Sequence, residues 1–311
     1  MTLDARFVRA LADRAAVRQD EPLSRHTTIG IGGPADAYVV ARSASELRDV
    51  LEVCRDQGAP VFMLGSGSNI VVGDRGMRGV TIENRAQDLS EASSADGGRY
   101  LFRAETGCSF AGVARQLAFA GFAGLEWACG IPGTIGGAVV YNAGAYGGCL
   151  GDVLQRVCVW DPGEGEVVYE ASELGLVYRG SAFTRGLMAG RAVLWAEFTL
   201  WAGDPSELRG RVADYDSRRL KAQPRGRNAG SFFKNPPGQP AWKLIEAIGM
   251  RGYQVGGAQF SDKHCNFLIN AGGATASDVS VLKATAESRV REQFGIDLGN
   301  EVKLVGEGFA D

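Results

Sequence analysis

The apolar positions of the first third change period as the chain proceeds. A short apolar run, "AYVVA" at 37–41, gives way to Leu47, Val50, Leu51 and Cys54 at helical spacing, then to "PVFML" (60–64) and "GVTIE" (79–83). The runs read as strands. The stripe reads as an amphipathic helix, opened by the capping box "SASE" (43–46) and stopped at Gly58. Further on, Ser109 caps a helix running through "FAGVARQLAFA" to Gly121. Strands follow at "LQRVCVW" (154–160), "EVVYE" (166–170) and "AVLWAEFTLW" (192–201), the first two joined by the turn "DPGEGE". Asp204 as N-cap and Pro205 at the first helical position predict a long helix over 204–224, ending before Pro224. The last third carries helical patterns at 240–248 and 277–294 and strand patterns at "HCNFLIN" (264–270) and "EVKLVGE" (301–307). Nothing repeats at a fixed period, and no low-complexity linker divides the chain.

Glycine interrupts this pattern unevenly. Many of the 44 glycines gather in "TTIGIGGPA" (27–35), "LGSGSN" (64–69) and "GIPGTIGGAVVYNAGAYGG" (130–148). One such cluster reads as a tight turn. Three in a chain of mixed strands and helices point to a bound polyanion or cofactor, because backbone amides can approach a ligand closely where no Cβ intervenes. The fingerprint of a dinucleotide-binding loop is absent, since Ile70 stands where "LGSGSN" would need its third glycine. "GIPGTIGG" likewise lacks the Gly-Lys-Ser/Thr ending of a nucleotide triphosphatase loop. What remains is a pair of phosphate-sized nests, with Ser66, Ser68, Asn69 and Thr134 adding side-chain polar groups suited to a pyrophosphate.

Composition narrows the function classes further. The 311 residues suffice for two or three domains, and a net charge of −3 offers no general attraction to nucleic acid or anionic lipid. The six cysteines form no CxxC pair and read as reduced thiols, and two histidines without close Cys or carboxylate partners argue against a metal site. No apolar run approaches the length of a membrane span, and the N-terminus "MTLDARFVRALADRAAVRQDE" is charged throughout, so a cytoplasmic location is expected. The sequence leaves the oligomeric state open, and a monomer is compatible with it.

The pairing of "LGSGSN" after a strand with the long glycine segment resembles the flavin-binding half of the UDP-N-acetylenolpyruvoylglucosamine reductase family. The resemblance runs on through "VYRGSAF" (177–183), "NAGSFFKNP" (228–236), "AQFSDKHCNFLIN" (258–270) and "LGNEVKLVGE" (298–307). It implies an α+β protein of three domains. Residues 1–84 and 85–205 would form an FAD-binding fold of the vanillyl-alcohol-oxidase/PCMH type, 206–297 the substrate-binding domain, and 298–311 a return to the first domain. Only a dozen residues separate Arg179 from Ala192, so the chain is similar to the shorter, second type, which lacks a tyrosine-bearing substrate loop. FAD is the implied bound cofactor and NADPH the implied co-substrate, with UDP-N-acetylglucosamine enolpyruvate reduced to UDP-N-acetylmuramate for peptidoglycan precursor synthesis. Gly65, Ser66, Gly67, Ser68 and Asn69, with Gly130, Pro132, Gly133, Thr134, Gly136 and Gly137, are implied to line the flavin.

The same resemblance assigns chemistry to three residues. An enol ether resists hydride, so the site must draw charge onto the adjacent carboxylate and then deliver a proton. Arg179 is implied as the partner of that carboxylate, Glu301 as a second electrostatic element, and Ser231 as the proton donor to a strongly basic carbon. In isolation Ser231 is a turn or cap residue, and Glu301 serves only if it is protonated or donates through water, because a bare carboxylate would repel the developing enolate. Lys221, Asn235 and His264 match substrate positions, and Arg218, one turn before Lys221, shares its helix face; Lys221 has an ordinary alternative as a solvated helix residue and His264 as a satisfied strand-end side chain. Two other functions are compatible with the flavin loops: a carbohydrate or alcohol oxidase of the same fold, for which His26 is the one candidate tether, and a non-catalytic sugar-nucleotide sensor.

Overall fold

The structure, a computed structural model, describes residues 3–310; the outermost residues of the first and last segments, 1–2 and 311, lie outside the described residues. The strand Pro34–Ala41 is buried along nearly its whole length, as suits the middle of a sheet. It pairs antiparallel with Ala16–Pro22 and parallel with Met77–Asn84, which pairs parallel with Val61–Leu64. Helix α1 (Ala5–Ala12) and helix α2 (Ala44–Asp56) cover this sheet, α2 through the predicted stripe Leu47, Val50, Leu51 and Cys54. Ser43 caps α2 by accepting from the Glu46 amide at 3.1 Å, a contact of about 1 kcal/mol.

The second sheet is antiparallel, in the order Gly165–Glu170, Leu154–Asp161, Ala192–Ala202, Arg99–Glu105, Ser93–Ala95. Helix α3 (Phe110–Phe119) and helix α4 (Ile135–Tyr141) pack Phe110, Val113, Leu117, Ile135 and Val139 into its core. Cys158, Trp160, Ala192 and Leu194 join the apolar cluster beneath α2, so the two sheets share one buried seam. Helix α5 (Pro205–Ala222) starts where Asp204 accepts from the amides of Ser206 and Glu207 at 2.8 and 3.0 Å. Its Leu208 and Val212 pack on Ala118 and Cys129.

The third sheet runs Asn228–Ser231, Phe267–Asn270, Ala258–Phe260, Gln254–Val255. Helix α6 (Ala241–Ala247) and helix α7 (Ala276–Phe294) enclose a core with Phe232, Phe233, Phe260 and Leu268, all fully buried. Burial of each phenylalanine contributes about 1.5–3 kcal/mol. The final strand, Lys303–Val305, then crosses back to pair parallel with Ile70–Val72, directly after the first glycine loop.

Two predicted strands are shorter in the structure. The one expected at 264–270 begins at Phe267, whose amide instead closes a turn onto the His264 carbonyl. The one expected at 301–307 is confined to Lys303–Val305, because the amides of Glu301 and Val302 bond to the carbonyl of Phe232. Helices α1 and α4 and the strands Ala16–Pro22 and Arg99–Glu105 are additions to the pattern read from sequence. No helix among the described residues is long and apolar enough to cross a membrane. The described residues contain no cluster of three metal-ligating side chains, and all six cysteines are free thiols.

Candidate active site

A cavity of about 610 Å³ lies where the three sheets meet, bringing together segments far apart in sequence: Gly65–Asn69, Pro132–Gly137, Arg179, Ser231 and Glu301. Its size suits a large organic ligand.

The first glycine loop forms the better-prepared anion cradle. The amides of Ser66, Gly67, Ser68 and Asn69 donate to no backbone carbonyl among the described residues, so they are available to a ligand. A Cβ on Gly65 would meet Thr134 Oγ1 at 2.6 Å, and Gly67 has φ +61° with room for no Cβ beside the His26 carbonyl. The second loop differs from the expectation of a matching nest. The amides of Ile135 and Gly136 already bond to the carbonyls of Cys108 and Thr106, and Thr134 Oγ1 accepts from Gly137 N at 3.4 Å as a helix cap. Its glycines line a wall instead. Gly130 does not line the cavity; a Cβ there would strike the Arg219 side chain, so this glycine makes room for an arginine that does.

Arg179 and Glu301 meet across the cavity, Nε to Oε1 2.6 Å apart. The Nε–H is misaligned for a hydrogen bond, so the contact is an ion pair. Burial pushes the Glu301 carboxyl above its ordinary value, against the lowering pull of Arg179 and Lys234. Lys234 Nζ also donates to the Arg179 carbonyl at 3.4 Å. Ser231 ends a strand that bulges between Asn228 and Ser231, with Gly230 in a left-handed conformation at the bulge. Phe232 anchors the next step: its amide donates to Asn266 O at 2.7 Å and its carbonyl accepts from Glu301 N at 2.9 Å. Asn69 Nδ2 reaches the Glu301 carbonyl at 3.2 Å, so the first glycine loop and the serine segment both hold the glutamate.

The remaining predicted residues stand outside the cavity wall. Arg218 pairs with Asp214 at 2.7 Å on the exposed side of α5, and Lys221 is exposed one turn on. Asn235 Oδ1 accepts from Ala241 N at 3.0 Å, fixing the start of α6. His264 accepts at Nδ1 from Asn266 N at 3.3 Å and rests edge-on to Phe267; burial holds its ring below the ordinary histidine value. His26 is occupied at both ring nitrogens, 2.9 Å from Glu21 Oε1 and 2.9 Å from the Tyr38 hydroxyl, which leaves neither for a flavin tether.

Arg219 also lines the cavity, although no motif singles it out. It forms no ion pair among the described residues, and burial pulls its guanidinium below the ordinary value, a deficit that an anion in the cavity would offset. The signal was present: Leu208, Val212, Tyr215 and Arg219 recur at helical spacing, which sets Arg219 rather than Arg218 on the inward face. Tyr141, Lys234 and Lys303 also line the cavity and had no comparable signal, because their positions depend on contacts distant in sequence.

Comparison with known proteins agrees with this architecture. Residues 35–169 match the profile described as an FAD binding domain, and residues 222–305 match that of the UDP-N-acetylenolpyruvoylglucosamine reductase C-terminal domain. A UDP-N-acetylenolpyruvoylglucosamine reductase of Geotalea uraniireducens is 40% identical over 307 residues, covering 98% of this chain and 99% of the relative. One from Rubrobacter xylanophilus is 42% identical over 295 residues, covering 94% and 96%. The crystal structure of the Thermus caldophilus reductase superposes with a TM-score of 0.78 at 34% identity, covering 93% of this chain and 99% of that one. With the cradle, the cavity and near-full-length similarity in agreement, the chain belongs to the UDP-N-acetylenolpyruvoylglucosamine reductase family.

Proposed function

We propose that the chain is an FAD-dependent, NADPH-driven reductase that converts UDP-N-acetylglucosamine enolpyruvate to UDP-N-acetylmuramate in peptidoglycan precursor synthesis. The observation that carries this reading is the convergence of Arg179, Ser231 and Glu301 on one cavity floored by the first glycine loop. The residues fit FAD: the free amides of Ser66–Asn69 and the crowding at Gly65 and Gly67 suit a pyrophosphate, with Pro132–Gly137 as the opposite wall. Bound FAD would supply the hydride, taken beforehand from NADPH.

The side chains handle charge and proton. The Arg179 guanidinium binds the substrate carboxylate and draws electron density toward it as hydride reaches the terminal enol carbon. In doing so it leaves Glu301, whose carboxyl, already raised by burial, rises further without its cation. Neutral Glu301 then donates a hydrogen bond to the developing enolate. The Ser231 hydroxyl gives its proton to the α-carbon and is reprotonated from solvent; position matters more than acidity because the carbanion is the far stronger base. Arg219 and Lys303 supply positive charge for the diphosphate-bearing ligands.

We assign the FAD-binding halves to the first two sheets and the substrate domain to the third, and set the second border at about residue 223, since α5 packs on α3. Six free thiols and nucleotide substrates support a cytoplasmic location. The test is direct. The purified protein should be yellow, bleach with NADPH in the absence of air, and regain colour on adding UDP-N-acetylglucosamine enolpyruvate; a colourless protein that takes up no FAD would refute the reading.

A further inference from the structure

Arg179 is one of the few non-glycine residues with a left-handed backbone, at φ +53°, a conformation that persists only where neighbours hold it. It sits within a tight turn closed by reciprocal bonds between Val177 and Gly180, and Tyr178 beside it is 60% exposed. Little covers this turn from outside. It is held from beneath by the end of α4.

Asn142, the C-cap of α4, is buried and has φ +44°. Its Nδ2 donates to the Val177 carbonyl at 3.1 Å, and its Oδ1 accepts from Gly151 N at 2.9 Å. On the far side of the turn Ser181 Oγ donates to the Val140 carbonyl at 2.6 Å. Both flanks of Arg179 are thus fastened to the last turn of α4, whose Gly136, Gly137 and Tyr141 line the cavity. Only a carboxamide meets the demands at 142 together: tolerance of a left-handed backbone, an acceptor for Gly151, and a donor for Val177. Aspartate keeps the first two and lacks the donor. Glycine keeps the first alone.

We propose that Asn142 is a positioning residue for Arg179, fixing the guanidinium relative to the cofactor wall so that it meets the substrate carboxylate. This inference rests on the reductase reading above. Asn142→Asp should retain FAD and bleach with NADPH within about twofold of wild type, because neither property uses the turn. Its reoxidation by UDP-N-acetylglucosamine enolpyruvate should slow by about 10–100-fold, the scale expected of a catalytic group displaced by an ångström. In an Arg179→Ala background the same change should add less than about twofold, since there is no guanidinium left to position.

Equal loss in both half-reactions, or undiminished loss in the Arg179→Ala background, would overturn the proposal. So would loss of FAD from both Asn142→Asp and Asn142→Gly, which would make the side chain a support of the fold. A wild-type protein that the substrate fails to reoxidise would count against the reductase reading instead.

Discussion

Gly67 offers the sharpest test of the proposed cofactor cradle, because an alanine there carries two separable costs. Its φ of +61° lies in the left-handed region, which costs an L-residue about 1–2 kcal/mol. The added Cβ would stand 2.1 Å from the His26 carbonyl oxygen, with the Thr27 Cα at 2.8 Å. Both neighbours are backbone, so relief demands a loop shift of about 1 Å, comparable to overpacking at about 1–3 kcal/mol. Gly97 is the control: it has φ +73° and nothing within 4 Å of a Cβ. Urea unfolding of Gly97→Ala should therefore show the backbone cost alone, about 1–2 kcal/mol, with full FAD content. Gly67→Ala should show about 1–3 kcal/mol more, or the same strain as displaced amides and a roughly 5- to 150-fold weaker hold on FAD after gel filtration. If Gly67→Ala matches Gly97→Ala in stability and keeps its flavin, the loop is not the cradle described here.

Two further outcomes follow from the site. Because the buried Glu301 carboxyl is held above its ordinary value of 4.5, the folded state binds its proton more tightly than the unfolded chain, and stability from this group declines as pH rises above 4.5 through the raised value. Glu301→Gln, neutral throughout, should gain thermal stability relative to wild type over that rise while reoxidation by substrate slows; a gap that narrows with pH would contradict the assignment. The wild-type reoxidation rate should itself fall on the alkaline side, with NADPH bleaching unaffected. Second, with both His26 nitrogens engaged, the flavin should be wholly released by acid or heat denaturation, and flavin that stays with the precipitated chain would revive the tethered-oxidase alternative.

Signals in the sequence are legible where the physics is local. Ser43, Ser109 and Asp204 all cap the helices they announced, since a cap is a contact between residues two or three apart. Helix α4 was hidden inside the glycine segment. Two of its seven residues are glycine and two are valine, which lowers its intrinsic propensity, and its formation depends on Ile135 and Val139 burying against the second sheet. Motif resemblance implies that Arg179, Ser231 and Glu301 share one site, whereas the way their meeting is built is not legible in the sequence. It depends on Phe232 bonding to Glu301 and on the Arg179 turn resting on Asn142, contacts that span tens of residues and leave no periodic trace. Asn235 and His264 matched by motif, yet the structure gives each an ordinary hydrogen-bonding duty.

Ser231 is the proposed source of the proton, and stopped-flow flavin absorbance of Ser231→Ala tests this without intermediaries. Bleaching by NADPH should proceed within about twofold of wild type, while reoxidation by UDP-N-acetylglucosamine enolpyruvate should slow by at least about 100-fold, as for loss of a general acid. Reoxidation at the wild-type rate, or equal slowing of both half-reactions, would contradict it.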